Sequence, residues 1–229
     1  MQPQQPPQQQ CLTMHKEWWV SIRLIHWSMV FSIFTLIITG FYIAKPITMV
    51  AGPTEGKFLM GNIRTIHTFF GIFLTFLMIW RAYMGVFPGF HARWRDLLAW
   101  TDIPNLITQI KFYLLLSEKK SKHEYQYGPM QALAYSGLIV LMILIILTGM
   151  ILTAANYHAG LTLMVGSLLK PLENLMGGLA GVRLIHHMVT WGFILFIMVH
   201  VYMGVWSDIV YKEGTISSMI SGRVFRKSE

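Results

Sequence analysis

Four long apolar runs, at about residues 24–44, 63–87, 130–153 and 183–206, alternate with polar or glycine- and proline-bearing connections. Each run is close to the ~20 residues that a helix needs to cross the hydrocarbon core of a bilayer. The pattern predicts an all-α membrane protein, a four-transmembrane-helix bundle. The first run stops at Lys45-Pro46, because a helix rarely continues through proline. The longest connection, about 88–129, contains NLITQIKFYLLLSEKK. That segment is apolar with a charged tail, and it predicts an interfacial helix lying along the membrane. Gly128-Pro129 leads into the third span, and 154–182 reads as a loop holding His158 and a Gly177-Gly178 pair. The stretch MQPQQPPQQQC at the start is Gln/Pro-rich and predicts disorder. The expected organisation is a disordered N-terminus over 1–17, a four-helix transmembrane domain over 18–210 and a polar tail over 211–229.

Composition agrees, since a chain that is 54% hydrophobic and 12% charged is too apolar for a soluble domain of this length. The formal charge of +8 does not point to nucleic acid, as no basic stripe with interleaved aromatics stands outside the apolar runs. The charge follows membrane topology instead. Of the 18 lysines and arginines, only Lys45, Lys57, Arg64, Lys170 and Arg183 flank one side of a four-helix path. The positive-inside rule places both termini and the long middle loop in the cytoplasm. Cys11 is the single cysteine, so no intrachain disulfide or cysteine-based metal site is expected. No basic segment followed by an apolar core and a cleavage site opens the chain, and no removable signal is expected.

The chemistry starts in the fourth run, VRLIHHMVTWGFILFIMVHVYMGVW, which carries His186 and His200. Fourteen helical steps fall roughly 40° short of four whole turns and climb roughly 21 Å. The two imidazoles therefore share a face near opposite membrane surfaces, while His187 points away from it. Arg-x-x-His occurs three times, as Arg23/His26, Arg64/His67 and Arg183/His186. Residues at i and i+3 are helix neighbours, so each guanidinium sits one turn nearer the surface than its imidazole. Haem b suits this geometry, with imidazoles as axial ligands and arginines for its propionates. Depth then pairs His26 with His200 near the inner surface and His67 with His186 near the outer. Two bis-histidine haems, one per leaflet, follow as the expectation. Both axial positions are filled, which favours electron transfer over oxygen chemistry. The blander alternatives are histidines serving as hydrogen-bonding links between helices and arginines serving as interface anchors.

An internal echo runs through the chain. IRTIHTFFGIFLTFLMIWRAYMGVF aligns with the fourth run without a gap, setting Arg64 on Arg183, His67 on His186 and Arg81 on His200. Thr39-Gly40 of the first run likewise matches Thr148-Gly149 of the third, which sets His26 on Tyr135. A two-helix duplication or chance similarity among apolar helices would each give such an echo.

Arg23-Leu-Ile-His26-Trp27, Thr39-Gly40 to Lys45-Pro46, Ile63-Arg64 to His67, and His200-Val-Tyr-Met-Gly through Asp208 to Gly222 carry a resemblance. From residue 18 on, the chain resembles the cytochrome b subunit of membrane-bound, quinone-reactive [NiFe]-hydrogenases, a relative of the formate dehydrogenase cytochrome b subunit. The resemblance implies a multi-pass subunit of the bacterial cytoplasmic (inner) membrane. It implies two haem b groups, with His26, His67, His186 and His200 on the irons and Arg23, Arg64, Arg183 and Arg81 around the cofactors. The implied partners are the [NiFe]-hydrogenase small and large subunits and the lipid bilayer, with menaquinone or ubiquinone as electron acceptor. The chain would be the electron-transferring, quinone-reactive subunit of a hydrogen:quinone oxidoreductase, not a hydrogenase on its own. Where the family has His-Asn-Pro before the third helix, this chain has Tyr127-Gly128-Pro129. His123, Glu124 and Tyr127 are the quinone-side candidates. A stand-alone cytochrome b561-type reductase, a formate dehydrogenase subunit, and a haem-free anchor or proton-relaying transporter are the alternative readings.

Overall fold

A computed structural model describes residues 12–46, 58–87, 94–114, 116, 127–157, 159–211 and 214–227. The candidates His123 and Glu124 lie outside the described residues, as do His91 and His158. Among the described residues, four helices are long and apolar enough to cross a membrane. They are α1 (Val20–Ala44), α2 (Leu59–Val86), α4 (Pro129–Ala154) and α6 (Gly178–Tyr211). Large apolar side chains such as Phe31, Ile38, Phe76, Val140 and Leu195 stand exposed on them. A bilayer supplies the apolar medium that such a surface requires, and the bundle is a multi-pass membrane protein.

The described residues fall into two compact units, one within 27–197 and the other within 1–26 and 198–229. In the first, Leu74 of α2 packs with Met142 of α4 and with Val189 and Phe193 of α6. Met29, Ile33 and Leu36 of α1 close around this centre. Lipid tails are as apolar as leucine, so close van der Waals packing, more than water exclusion, holds these helices together.

The long connection before α4 is built as a 3-10 helix, Trp94–Thr101, followed by α3 (Ile103–Tyr113). The Asp102 side chain accepts from the Asn105 N–H at 3.3 Å and starts α3. Gln109, on α3, is buried and bridges to the next span. Its Oε1 accepts the Met130 N–H at 2.8 Å, and its Nε2 donates to the Tyr113 hydroxyl at 3.1 Å. One of the unpaired donors at the start of α4 is thereby satisfied.

Two elements differ from the sequence expectation. The stretch read as a loop contains α5 (Gly160–Leu175), a helix with Pro171 inside it. Its apolar residues recur at helical spacing, yet the proline and the flanking glycines read as loop punctuation. Gly177 and Gly178 take positive φ values of 84° and 75°, which separates α5 from α6. The second difference lies in the other unit. Residues 12–16 were expected within a disordered stretch, but β1 (Leu12–Lys16) pairs antiparallel with β2 (Arg223–Lys227). Each strand alone is short and polar, and only the partner from the far end of the chain satisfies its backbone. Between α6 and β2 runs the short helix α7 (Thr215–Ser221).

Candidate haem-binding site

Two pairs of imidazoles face one another. In the unit of 27–197, His67 of α2 faces His186 of α6 with ring centroids 6.4 Å apart and planes at 64°. In the other unit, His26 of α1 faces His200 of α6 with centroids also 6.4 Å apart and planes at 48°. A metal–imidazole bond is about 2 Å long, and a ring nitrogen lies about 1 Å from its ring centre. An iron between two imidazoles thus sets the centroids about 6 Å apart, and both gaps accept it. Direct imidazole–imidazole hydrogen bonding would bring the rings closer. His187, one position beyond His186, packs edge-on against Phe41 at 5.4 Å and meets Trp191 at 6.5 Å.

The His67–His186 pair has a matched support at the two Thr-Gly dipeptides of the internal echo. Thr39 Oγ1 lies 2.8 Å from His67 Nδ1, and Thr148 Oγ1 lies 2.8 Å from His186 Nδ1. Each hydroxyl also reaches a carbonyl one turn back on its own helix, Thr35 O and Leu144 O, both at 2.7 Å. A carbonyl only accepts and a hydroxyl has one proton. Both contacts are met together when the hydroxyl donates to the carbonyl and accepts from Nδ1–H. The glycine after Thr39 gives the imidazole room, while the one after Thr148 leaves an ordinary contact distance. A side chain begun at Gly40 would stand 3.2 Å from His67 Cε1, and one at Gly149 would stand 3.5 Å from His186 Cε1. Interhelical hydrogen bonds in membranes contribute only about 1 kcal/mol each. Their larger consequence is orientation, since a ring held at Nδ1 presents Nε2 to the space between the helices.

At the start of α1, the described segments before it and after α6 meet. The Gly222 carbonyl accepts from the Glu17 and Trp18 N–H groups at 2.9 and 3.2 Å. Gly222 has a φ of 81°, and a side chain there would run into the Trp18 carbonyl at 2.9 Å, so glycine is required. Arg23 Nη1 donates to the Ile220 carbonyl, while Arg23 Nε is buried with no hydrogen-bond partner among the described residues. A buried cationic donor left unsatisfied is costly, and a propionate would answer it. Arg64 and Arg183 are exposed, one turn from their histidines.

Arg81 has a tyrosine partner. It hydrogen-bonds Tyr127, a buried residue whose ring lies edge-on to Tyr135 with centroids 5.0 Å apart. Tyr135 in turn accepts from Gln131 Nε2 at 3.0 Å. Burial pushes the Tyr127 phenol up to about 12, with the Arg81 guanidinium acting in the opposite direction. It stays protonated, and so a donor, at any physiological pH.

Imidazole pairs facing one another inside a four-span helical bundle are the build of a membrane cytochrome of the b type. The model of the prokaryotic cytochrome b561 family matches residues 17–222, and the chain belongs to that family. Haem b is the group that its members carry. A protein of Azotobacter vinelandii is 32% identical over 90% of this chain and 86% of its own length. One of Rhizobium leguminosarum bv. viciae is 30% identical over 91% of this chain and 88% of its own length. Both are named probable Ni/Fe-hydrogenase B-type cytochrome subunit. The probable Ni/Fe-hydrogenase 1 B-type cytochrome subunit of Escherichia coli (strain K12) is 26% identical, over 88% of this chain and 86% of its own.

Proposed function

We propose that this chain is the membrane-anchoring dihaem cytochrome b subunit of a hydrogen:quinone oxidoreductase, receiving electrons from a [NiFe]-hydrogenase and delivering them to the quinone pool. The observation that carries this reading is the pair of equal 6.4 Å imidazole separations, His67 to His186 in one unit and His26 to His200 in the other. Haem held by two imidazoles supplies one-electron transfer and leaves no open position for oxygen. His26 and His200 are the ligands of one haem, His67 and His186 of the other. Arg23, with its unsatisfied Nε, receives a propionate of the first, and Arg64 and Arg183 stand at the surface side of the second. The hydrogenase partnership rests on the names of the relatives, which align over most of their length. A pyridine haemochrome assay on the fully loaded protein should give two haem b per chain. A value near one would make one histidine pair structural.

With the termini in the cytoplasm, as the distribution of lysine and arginine favours, the His67–His186 haem belongs to the outer leaflet. The hydrogenase then docks at the outer surface. Crosslinks from its subunits should fall on residues 46–62 or 154–182. Crosslinks concentrated on 93–120 would contradict this orientation.

The quinone reacts at the opposite, cytoplasmic end, beside the loop that enters α4. Tyr127 offers a protonated hydroxyl there, held by Arg81 and packed on Tyr135. A quinone carbonyl accepts hydrogen bonds, and its reduction consumes protons that an imidazole or carboxylate at the water boundary passes on. His123 and Glu124 are four and three residues before Tyr127 in the chain and supply those groups.

A further inference from the structure

We infer that Thr39 and Thr148 are matched positioning residues that set the redox poise of the haem between His67 and His186. The inference rests on the ligand assignment proposed above. Three observations converge. Both hydroxyls stand at the same 2.8 Å from Nδ1 of their histidines. Both spend their single proton on a carbonyl of their own helix at 2.7 Å, so each offers a lone pair and no competing donor to the imidazole. Both are nearly or wholly enclosed, Thr39 at 9% exposure and Thr148 at 0%, so water does not replace them. The internal echo places the two devices at equivalent positions of the two helix pairs, Thr39-Gly40 against His67 and Thr148-Gly149 against His186.

The physical consequence follows from the ligand's electronics. An imidazole that donates Nδ1–H to a fixed acceptor gains electron density at Nε2 and becomes a more basic ligand. A more basic ligand stabilises ferric over ferrous iron and lowers the midpoint potential. Removing the acceptor leaves the buried His186 N–H unsatisfied and leaves His67 only the Leu36 carbonyl, which weakens the ligand and raises the potential. Outer-shell partners of metal-bound histidines typically change metal affinity by roughly 10- to 100-fold. A measurable loss of haem retention is expected beside the shift.

The test is a spectroelectrochemical titration with haem quantification on the full chain and its Thr39→Val, Thr148→Val, Thr39→Ser and Thr148→Ser variants. His67→Ala identifies which titrating step belongs to this pair. Valine at either position should move that step to higher potential, leave the other step in place and lower retention of that haem alone. Serine, which keeps the hydroxyl and its bond to the helix carbonyl, should restore both. If both valine variants titrate like the parent with full haem content, the hydroxyls only fill space and the inference is wrong. It is equally wrong if valine and serine perturb the site alike, since volume and not the hydroxyl would then matter. Gly40→Ala, which presses on His67 at 3.2 Å, should disturb the same step, and Gly149→Ala, at an ordinary 3.5 Å contact, should not. Disturbance of the other step by Gly40→Ala would contradict the placement of this device. Full retention of both haems in His67→Ala would instead sink the ligand assignment itself.

Discussion

His67→Ala and His186→Ala should each abolish the same haem signal, and His26→Ala and His200→Ala should each abolish the other. Each single substitution is expected to remove about half of the bound haem. A bis-imidazole site that loses one axial ligand keeps neither its low-spin spectrum nor its affinity. His187→Ala should leave both spectra present. Its ring packs on Phe41 and Trp191, and it points off the face that carries His186 and His200. The measurement is a reduced-minus-oxidised spectrum with haem quantification on each purified variant. A result in which His187 is needed for a haem and His186 is dispensable would overturn the pairing. The helical phase of α6 and the facing geometry would both have failed.

The second large effect concerns charge movement. The purified complex, placed in sealed vesicles of one known orientation and supplied with hydrogen and a quinone, should generate a membrane potential negative on the cytoplasmic side. The sign follows from where protons appear and disappear. On the proposed arrangement, hydrogen oxidation outside would release protons there and the electrons would cross to the cytoplasmic end, where quinone reduction beside Tyr127 would take its protons from the cytoplasm. Charge is separated without a proton pump, and the effect is all or none. Rapid quinone reduction with no potential, in vesicles shown to be tight, would put the quinone site at the outer end. The role proposed for the Tyr127–Arg81 contact would then fall.

Much of this molecule was legible in local pattern. Run length and apolarity determine that four segments cross a membrane, because the bilayer imposes one thickness on every span. Helical phase determines that His186 and His200 share a face and that His187 does not, because the 100° step is the same in every α-helix. Spacing likewise sets an arginine one turn from His26, His67 and His186.

Other features only the tertiary structure decided, since each depends on groups far apart in the chain. The threonine hydroxyls meet His67 Nδ1 and His186 Nδ1 across 28 and 38 residues, and a Thr-Gly dipeptide by itself announces no such partner. The Arg81 guanidinium bonds Tyr127, which a different connection delivers. The β1–β2 pair joins residues more than 200 positions apart, and no local propensity in a polar, strand-length segment names its partner. The helix α5, which lies against α4, was hidden by Pro171 and the glycines around it, which read as loop punctuation. Elements whose geometry is set by the backbone repeat are written in the order of residues. Contacts between helices are settled only when van der Waals packing chooses which faces meet.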